Sequence, residues 1–277
     1  MESFHLINSY TANMNAIVTD AISQHELDVF FDAGLVTIDT PFSNELVESA
    51  RRAVVGMFER GEGVKGSWIV DSIHDPTLIA IMVDPFFEHL AQSVLRASDV
   101  ILASHAIRRT FGRPDAIQKL EDEHIDLRCT REDLNASPAR FLCGGVLWLT
   151  DVTMENNPLH FRPGSHLLIA RHTEEHPESH TGEYLQEPPD LDYQDLVPVL
   201  AKAGQYSLFG GPVVHAGSVT RGANKERIAF FIEYKALDAD FRFYVQQQDE
   251  MWKCLRQMRP LVPEGRRHLI PCQSDAI

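Results

Sequence analysis

A chain of 277 residues, 44% hydrophobic and 23% charged, can bury a sizeable core and fits one large or two ordinary domains. Its 40 acidic and 25 basic residues leave a formal net charge of −15, which repels phosphate backbones and anionic lipid, so neither nucleic acid nor a membrane is an expected partner. No apolar run approaches the length that spans a bilayer, and the start Met1-Glu2-Ser3-Phe4-His5 lacks the basic and apolar regions of a signal peptide. Cys129, Cys143, Cys254 and Cys272 show no CxxC spacing and suit reduced thiols, so a cytoplasmic location is expected.

In chain order, Ser23-Gln24-His25-Glu26 reads as a capping box, with Ile22 and Leu27 as the hydrophobic staple around it. The helix it starts should stop near Gly34, and Leu35 to Ile38 should be a strand. A second helix, roughly Asn44 to Glu59, gathers Leu46, Val47, Ala50, Val54, Met57 and Phe58 on one side. Asp84-Pro85 looks like an N-cap followed by proline at the first helical position, and its helix should run to about Leu95.

Beyond residue 98 the pattern turns to strands. Val100 to Ala106, Phe141 to Leu149, Leu159 to Arg162, Gln205 to Phe209, Val213 to Ser218 and Ile228 to Tyr234 are short apolar or alternating segments between turn-forming residues. Arg171 to Leu191, rich in acidic residues, histidine and proline, reads as a surface insertion and a candidate lid. Gln248 to Met258 should be helical. These elements predict one domain, a barrel or sandwich with helices packed outside it. Its helical part covers about 1–98, its β core about 99–235 and a C-terminal extension about 236–277.

The run Glu123-His124-Ile125-Asp126-Leu127 and the later Gly211-Pro212-Val213-Val214-His215 hold the most chemistry. In a strand, His124 and Asp126 project to one face and Ile125 to the other. If His215 lies on a neighbouring strand, two imidazoles and a carboxylate can cover one face of an octahedral Fe(II) and leave three positions open. The spacing by itself is weak, because a chain with 13 histidines has a fair chance of an H-x-D, and an exposed strand-end pair remains the alternative.

Residues 145–166 run Gly-Val-Leu-Trp-Leu-Thr-Asp-Val-Thr-Met-Glu-Asn-Asn-Pro-Leu-His-Phe-Arg-Pro-Gly-Ser-His. This resembles the central signature of the phytanoyl-CoA dioxygenase family, an aromatic-containing strand, a D-x-T-x-E-N-G loop and then P-G-S-H. Ala203-Gly204-Gln205, Leu208-Phe209, His215-Ala216-Gly217 and Arg227-Ile228-Ala229 resemble it further on, as does His25 to Ile38 at its start. The similarity spans about residues 25–235. It implies a double-stranded β-helix (a cupin-like jelly roll) using Fe(II), 2-oxoglutarate and O2 on a small-molecule substrate. Position by position, His124, Asp126 and His215 match the iron ligands. Arg227 matches the arginine that pairs with the distal carboxylate of 2-oxoglutarate, a job suited to the two parallel donors of a guanidinium. Gln118 is a further candidate for contacting 2-oxoglutarate near the iron.

The chain departs from the family at Asn157, where glycine is usual, and at Ala229, where many relatives place Ser or Thr to help hold the co-substrate. The second anchor therefore has no candidate in the sequence. Halogenating relatives replace the carboxylate ligand with a small residue, so Asp126 favours hydroxylation or another oxidative outcome. A cupin-like binding protein and a metal-dependent isomerase stay open as alternatives.

Other residues read more plainly. His172 and His176 are four apart but lack the HExxH order, and an exposed acidic and histidine-rich loop explains them. His166 is expected to make a structural hydrogen bond, and Ser165 lies in no nucleophile elbow. Trp148 is expected in the core. His160 and Arg162 share a face, and Arg162 could meet an acidic substrate or serve the structure. Arg221, in a turn, is the weaker rival of Arg227.

Overall fold

The computed structural model describes residues 20–63, 67–70, 73–112, 119–179, 187–219, 225–239 and 245–272. Ser23 opens the first helix as its sequence requires. Its hydroxyl accepts the Glu26 amide while the Glu26 carboxylate accepts the Ser23 amide, starting α1 (Gln24–Ala33). Gly34 ends it in the left-handed region at φ 85°. A Cβ there would also lie 2.7 Å from His166 Nδ1, so the glycine serves both the turn and a close approach.

β1 (Leu35–Ile38), α2 (Asn44–Glu59), β2 (Trp68–Ile69), α3 (Pro76–Met82) and α4 (Pro85–Leu95) follow. Asp75-Pro76 and Asp84-Pro85 start the last two in the same way, each aspartate accepting amides of the first turn. Contrary to the sequence expectation, Pro76–Leu95 is a 20-residue helical stretch whose length and mean hydropathy of 1.3 would suffice to cross a membrane. It is two helices meeting at Val83 and Asp84. Its apolar side chains, Leu78, Ile79, Phe87, Leu90 and Val94 among them, pack in the core instead.

The rest is mainly β: β3 (Val100–Phe111), β4 (Lys119–Leu120), β5 (Cys143–Trp148), β6 (His160–Phe161), β7 (Val197–Pro198), β8 (Tyr206–Gly210), β9 (His215–Ala216), β10 (Ser218–Val219) and β11 (Glu226–Ala236). Between them lie α5 (Arg131–Asn135) and α6 (Ser165–Glu175), and α7 (Val245–Met258) comes last. A six-stranded antiparallel sheet in the order β1-β8-β5-β11-β3-β2 faces two small sheets, β7-β6-β9 and β10-β4, in the jelly-roll arrangement of a double-stranded β-helix.

Period-two alternation sorts the large sheet's side chains. Ile107, Leu147, Leu208, Ile228, Phe230 and Ile232 join Val47, Val54, Leu90 and Val94 of the helices in the main core. Val146, Trp148, Phe209 and Ala229 turn the other way and pack with Phe161 and Val213. This inner face carries the candidate site. β3 and β11 stay in register until an irregularity at Glu233/Tyr234, where Glu233 pairs with Ser104 but Tyr234 with Leu102, leaving Ala103 as the extra residue of a bulge.

Three expectations need correction. The strand at Leu159 to Arg162 shrinks to β6, and Val213 to Ser218 splits into β9 and β10. These segments change partners every residue or two: β9 pairs with β6, and β10 with β4. Residues 171–175 are not part of a loop insertion but the end of α6. The short helical turn Pro177–Ser179 follows, and 180–186 lie outside the described residues.

Candidate metal centre

His124 and His215 face each other across an antiparallel bridge in which each backbone N–H donates to the other's carbonyl, at 2.9 and 3.0 Å. The expected strand at His124 is no more than this bridge, because the amides of Asp126 and Leu127 both turn to the Gly211 carbonyl. The alternation nevertheless holds. Ile125 is fully buried in a small cluster with Ile169 and Val214, while His124 and Asp126 point together toward His215.

The three side chains converge. Asp126 Oδ1 lies 4.0 Å from His124 Nε2 and 3.8 Å from His215 Nε2, the two rings are 4.3 Å apart, and one donor atom from each residue falls within 4.8 Å of the others. His215 Nδ1 stands 2.9 Å from the Val213 carbonyl and His124 Nδ1 stands 3.1 Å from that of Asp122. A carbonyl can only accept, so each Nδ1 carries the proton and each Nε2 turns a lone pair inward, the orientation a metal-binding histidine needs. Burial holds both imidazoles below the ordinary histidine range, helped at His124 by the neighbouring His215. Burial also pushes Asp126 up to about 6, against the pull of His124. Two neutral imidazoles and one carboxylate starved of a cation suit a divalent metal such as Fe(II).

Several side chains hold this set in place. Arg162 is not turned to a substrate: its guanidinium grips both oxygens of Glu123, at 2.5 and 2.9 Å, and donates to the Gln194 carbonyl, tying down the residue before His124. Ser165 is fully buried and its hydroxyl accepts the Val214 amide at 2.9 Å, one residue before His215. His166 donates from Nε2 to the Phe31 carbonyl at 2.9 Å, the structural bond expected of it, and burial lowers it to about 4, so it stays neutral. The P-G-S-H run is thus a brace between α1 and the strand that presents His215. His172 and His176 stack ring on ring at 4.5 Å at the end of α6, apart from the triad.

Arg227 lies on the same inner face and is only 4% exposed. It donates from Nη1 to the Asn157 carbonyl, and its guanidinium sits over the ring of Trp148, 5.8 Å from the centroid. Trp148 is buried as expected, its Nε1 donating to Ser207 Oγ at 2.8 Å. Asn157 takes the glycine's place at φ 62°, a left-handed conformation that asparagine tolerates, and its amide donates to the Phe111 carbonyl. No carboxylate among the described residues forms a salt bridge with Arg227. Glu121, whose charge acts on Arg227, is taken by Arg108 at 3.2 Å. Burial and the Arg108 charge pull Arg227 down to about 9, and its Nε has no hydrogen-bond partner. Directly across the β3–β11 ladder, Thr110 Oγ1 is also buried without a partner. A buried guanidinium beside an unsatisfied hydroxyl is a place for a small anion. Thr110 had no signal in the sequence, since only the register brings it opposite Arg227. Gln118 and Arg221 lie outside the described residues.

The family profile of phytanoyl-CoA dioxygenase (PhyH) matches residues 30–229. The chain belongs to the phytanoyl-CoA dioxygenase family. A search of curated protein sequences returns no match. Among solved structures, this family member is similar to the epimerase SnoN, described in complex with Fe3+, alpha ketoglutarate and nogalamycin RO, at 17% identity and a TM-score of 0.61 over 79% of this chain and 85% of that one. The non-heme alpha ketoglutarate dependent carbocyclase SnoK from nogalamycin biosynthesis is 19% identical, with a TM-score of 0.57 over 83% of this chain and 91% of SnoK. HygX from Streptomyces hygroscopicus, with nickel and 2-oxoglutarate bound, is 16% identical, with a TM-score of 0.55 over 78% of this chain and 87% of HygX. At these identities the likeness is one of fold, and it places the PhyH chain in the same jelly-roll architecture.

Proposed function

We propose that this PhyH-family chain is, as a single domain, an Fe(II)- and 2-oxoglutarate-dependent oxygenase that hydroxylates a small organic molecule or otherwise oxidises it through hydrogen abstraction. The observation that carries the reading is the pairing, on one inner face, of the His124–Asp126–His215 donor set with a buried Arg227 that no carboxylate among the described residues bridges. His124, Asp126 and His215 would hold the iron, and Arg227 would take the distal carboxylate of 2-oxoglutarate. Thr110 would donate to that carboxylate as the second anchor. With O2, the iron and 2-oxoglutarate supply the oxidising power that removes a substrate hydrogen.

The chain's own residues do the rest. The two imidazole Nδ1–H bonds to Val213 and Asp122 fix the ring planes, so the donor set needs little reorganisation. Arg227, buried over the Trp148 ring, would orient a dicarboxylate through its forked donors. Phe209, whose ring is 5.4 Å from that of His215, helps exclude water on one side. SnoN and SnoK, whose names give epimerisation and carbocyclisation, have the same fold, so substrate placement must select the outcome here.

Adding Fe(II) and then 2-oxoglutarate without oxygen should produce a visible metal-to-ligand charge-transfer band. Oxygen should then yield succinate. A cupin-like binding protein or a metal-dependent isomerase would show neither. His124→Ala or Asp126→Ala that left succinate formation intact would overturn the ligand assignment.

A further inference from the structure

The inner face carries a second carboxylate. On β11 the residues Arg227, Ala229, Phe231 and Glu233 alternate onto that face, opposite Thr110, Arg108, Ala106 and Ser104 of β3. Arg227 and Ala229 are buried at one end, whereas Phe231, Glu233, Ser104 and Ala106 keep part of their surface open. Glu233 is therefore half-buried on the inner face and not sealed in the core.

Its surroundings are specific. Glu233 leans across Gly144, its partner on β5, and a Cβ on Gly144 would lie 3.0 Å from Glu233 Cγ and 3.2 Å from Oε1. Gly144 in turn pairs with Phe209 on β8, whose ring touches that of His215. Glu233, Gly144 and Phe209 thus form a row across three strands ending at the metal centre. Oε2 accepts the Ser104 hydroxyl at 2.6 Å, and no described side chain donates to Oε1. No described cation forms a salt bridge with the carboxylate, and Lys235, two residues on, places its ammonium over the Trp252 ring at 5.3 Å. Burial and the Asp126 charge push Glu233 up to about 7, and a cationic partner would draw it back into the ionised range. Beside it, Phe231 and Trp68 pack ring to ring at 5.6 Å as an aromatic wall, with the Arg108 guanidinium, its charge met by Glu121 at 3.2 Å, over the Trp68 ring at 5.0 Å.

We propose that Glu233 anchors the substrate, its Oε1 taking the protonated amine of an organic cation whose apolar body lies along Phe231 and Trp68. A carboxylate on a cavity face with one oxygen held and the other open is a costly feature for a fold to keep without a cation. The bare Gly144 supplies the space in which the carboxylate lies. The inference rests on the active-site reading above and deepens it by naming a substrate class, an amine with a flat or apolar body.

The test is calorimetric titration of 2-phenylethylamine and its neutral isostere 2-phenylethanol into the anaerobic protein loaded with Fe(II) and 2-oxoglutarate. The amine should bind about tenfold or more tightly than the alcohol, as a charge-assisted hydrogen bond implies. Glu233→Gln, which keeps the volume, should bring the two probes to within about twofold of each other. An amine that binds no better than the alcohol, or a variant that retains the preference, overturns the proposal. The charge-transfer band is recorded on the same samples. A wild-type protein without the band overturns the oxygenase reading and, with it, this anchor. A wild-type protein with the band but no amine preference overturns the anchor alone.

Discussion

The hydroxyl of Ser165 accepts the backbone N–H of Val214 at 2.9 Å, one residue ahead of His215. Both residues are fully buried, so this amide has no water to turn to. Ser165→Ala should cost about 1–3 kcal/mol of stability, the usual penalty for a buried donor left unmet. It should weaken metal binding as well, because the strand that presents His215 loses its brace. Thermal unfolding with and without Fe(II) checks both. An unchanged metal affinity would confine the serine to a purely structural role.

Arg227→Ala should raise the 2-oxoglutarate Kd by about 100-fold or more, since two charge-assisted bonds of about 1.5–3 kcal/mol each would be lost. Arg227→Lys should recover only part of this, because an ammonium lacks the forked geometry. Thr110→Val keeps the shape and should cost about five- to tenfold in the same Kd. The charge-transfer band, titrated with 2-oxoglutarate, reads all three.

Arg162 bridges Glu123 and the Gln194 carbonyl without touching the triad. Both partners of the ion pair are about a quarter exposed, so its contribution to folding should be small, about 1 kcal/mol or less. Its effect on His124 should be larger. Arg162→Ala is expected to weaken metal binding by about tenfold, as loss of outer support to a ligand commonly does, with little change in Tm. Competition with a chelating dye measures it.

The pH dependence follows from Asp126. Its pKa in the folded, metal-free protein is raised from 3.8 to about 6, so the folded state prefers the protonated acid. The stability it contributes is fully present below 3.8 and is lost as pH rises through about 6. Metal needs the ionised form, so its affinity should fall as pH drops through the same region. Burial holds His124 and His215 below the ordinary histidine range, so their protonation sets in at lower pH than that of a free imidazole. The gap in Tm between metal-loaded and metal-free protein should therefore widen from pH about 5 to about 7.5. Asp126→Asn should raise the metal-free Tm at the upper pH and abolish the widening. Differential scanning fluorimetry across that range decides it.

How much of this was legible depended on where each signal lies. The helices opened by Ser23 and Asp84 were readable because caps are local, and the core strands because Ile228, Phe230 and Ile232 alternate. α6 was not. Its buried residues at 165, 166, 169, 170 and 173 are Ser, His, Ile, Ala and Thr, so its inward stripe is largely polar and leaves little hydrophobic period. β6, β9 and β10 are two-residue strands set by tertiary partners, which no window of sequence contains. Of the site, the H-x-D run and the downstream histidine and arginine could be named from motifs. Thr110 and Glu233 could not, because only the β3–β11 register puts one opposite Arg227 and the other on the triad's side of the sheet.

The extra residue Ala103 in β3 has a consequence for how this chain can vary. On one side of it Ser104 faces the inner cavity; on the other, Leu102 faces the helical core, although the two are an even number of residues apart. Deleting Ala103 would leave Leu102 and Ser104 adjacent, which a regular strand places on opposite faces, so both side chains would keep their present sides and only the bulge would be lost. A one-residue insertion or deletion between Ser104 and Thr110 would instead turn every side chain on one side of it to the wrong face. Drift in length should therefore be tolerated at Ala103 and in the connecting loops and forbidden along the rest of that row.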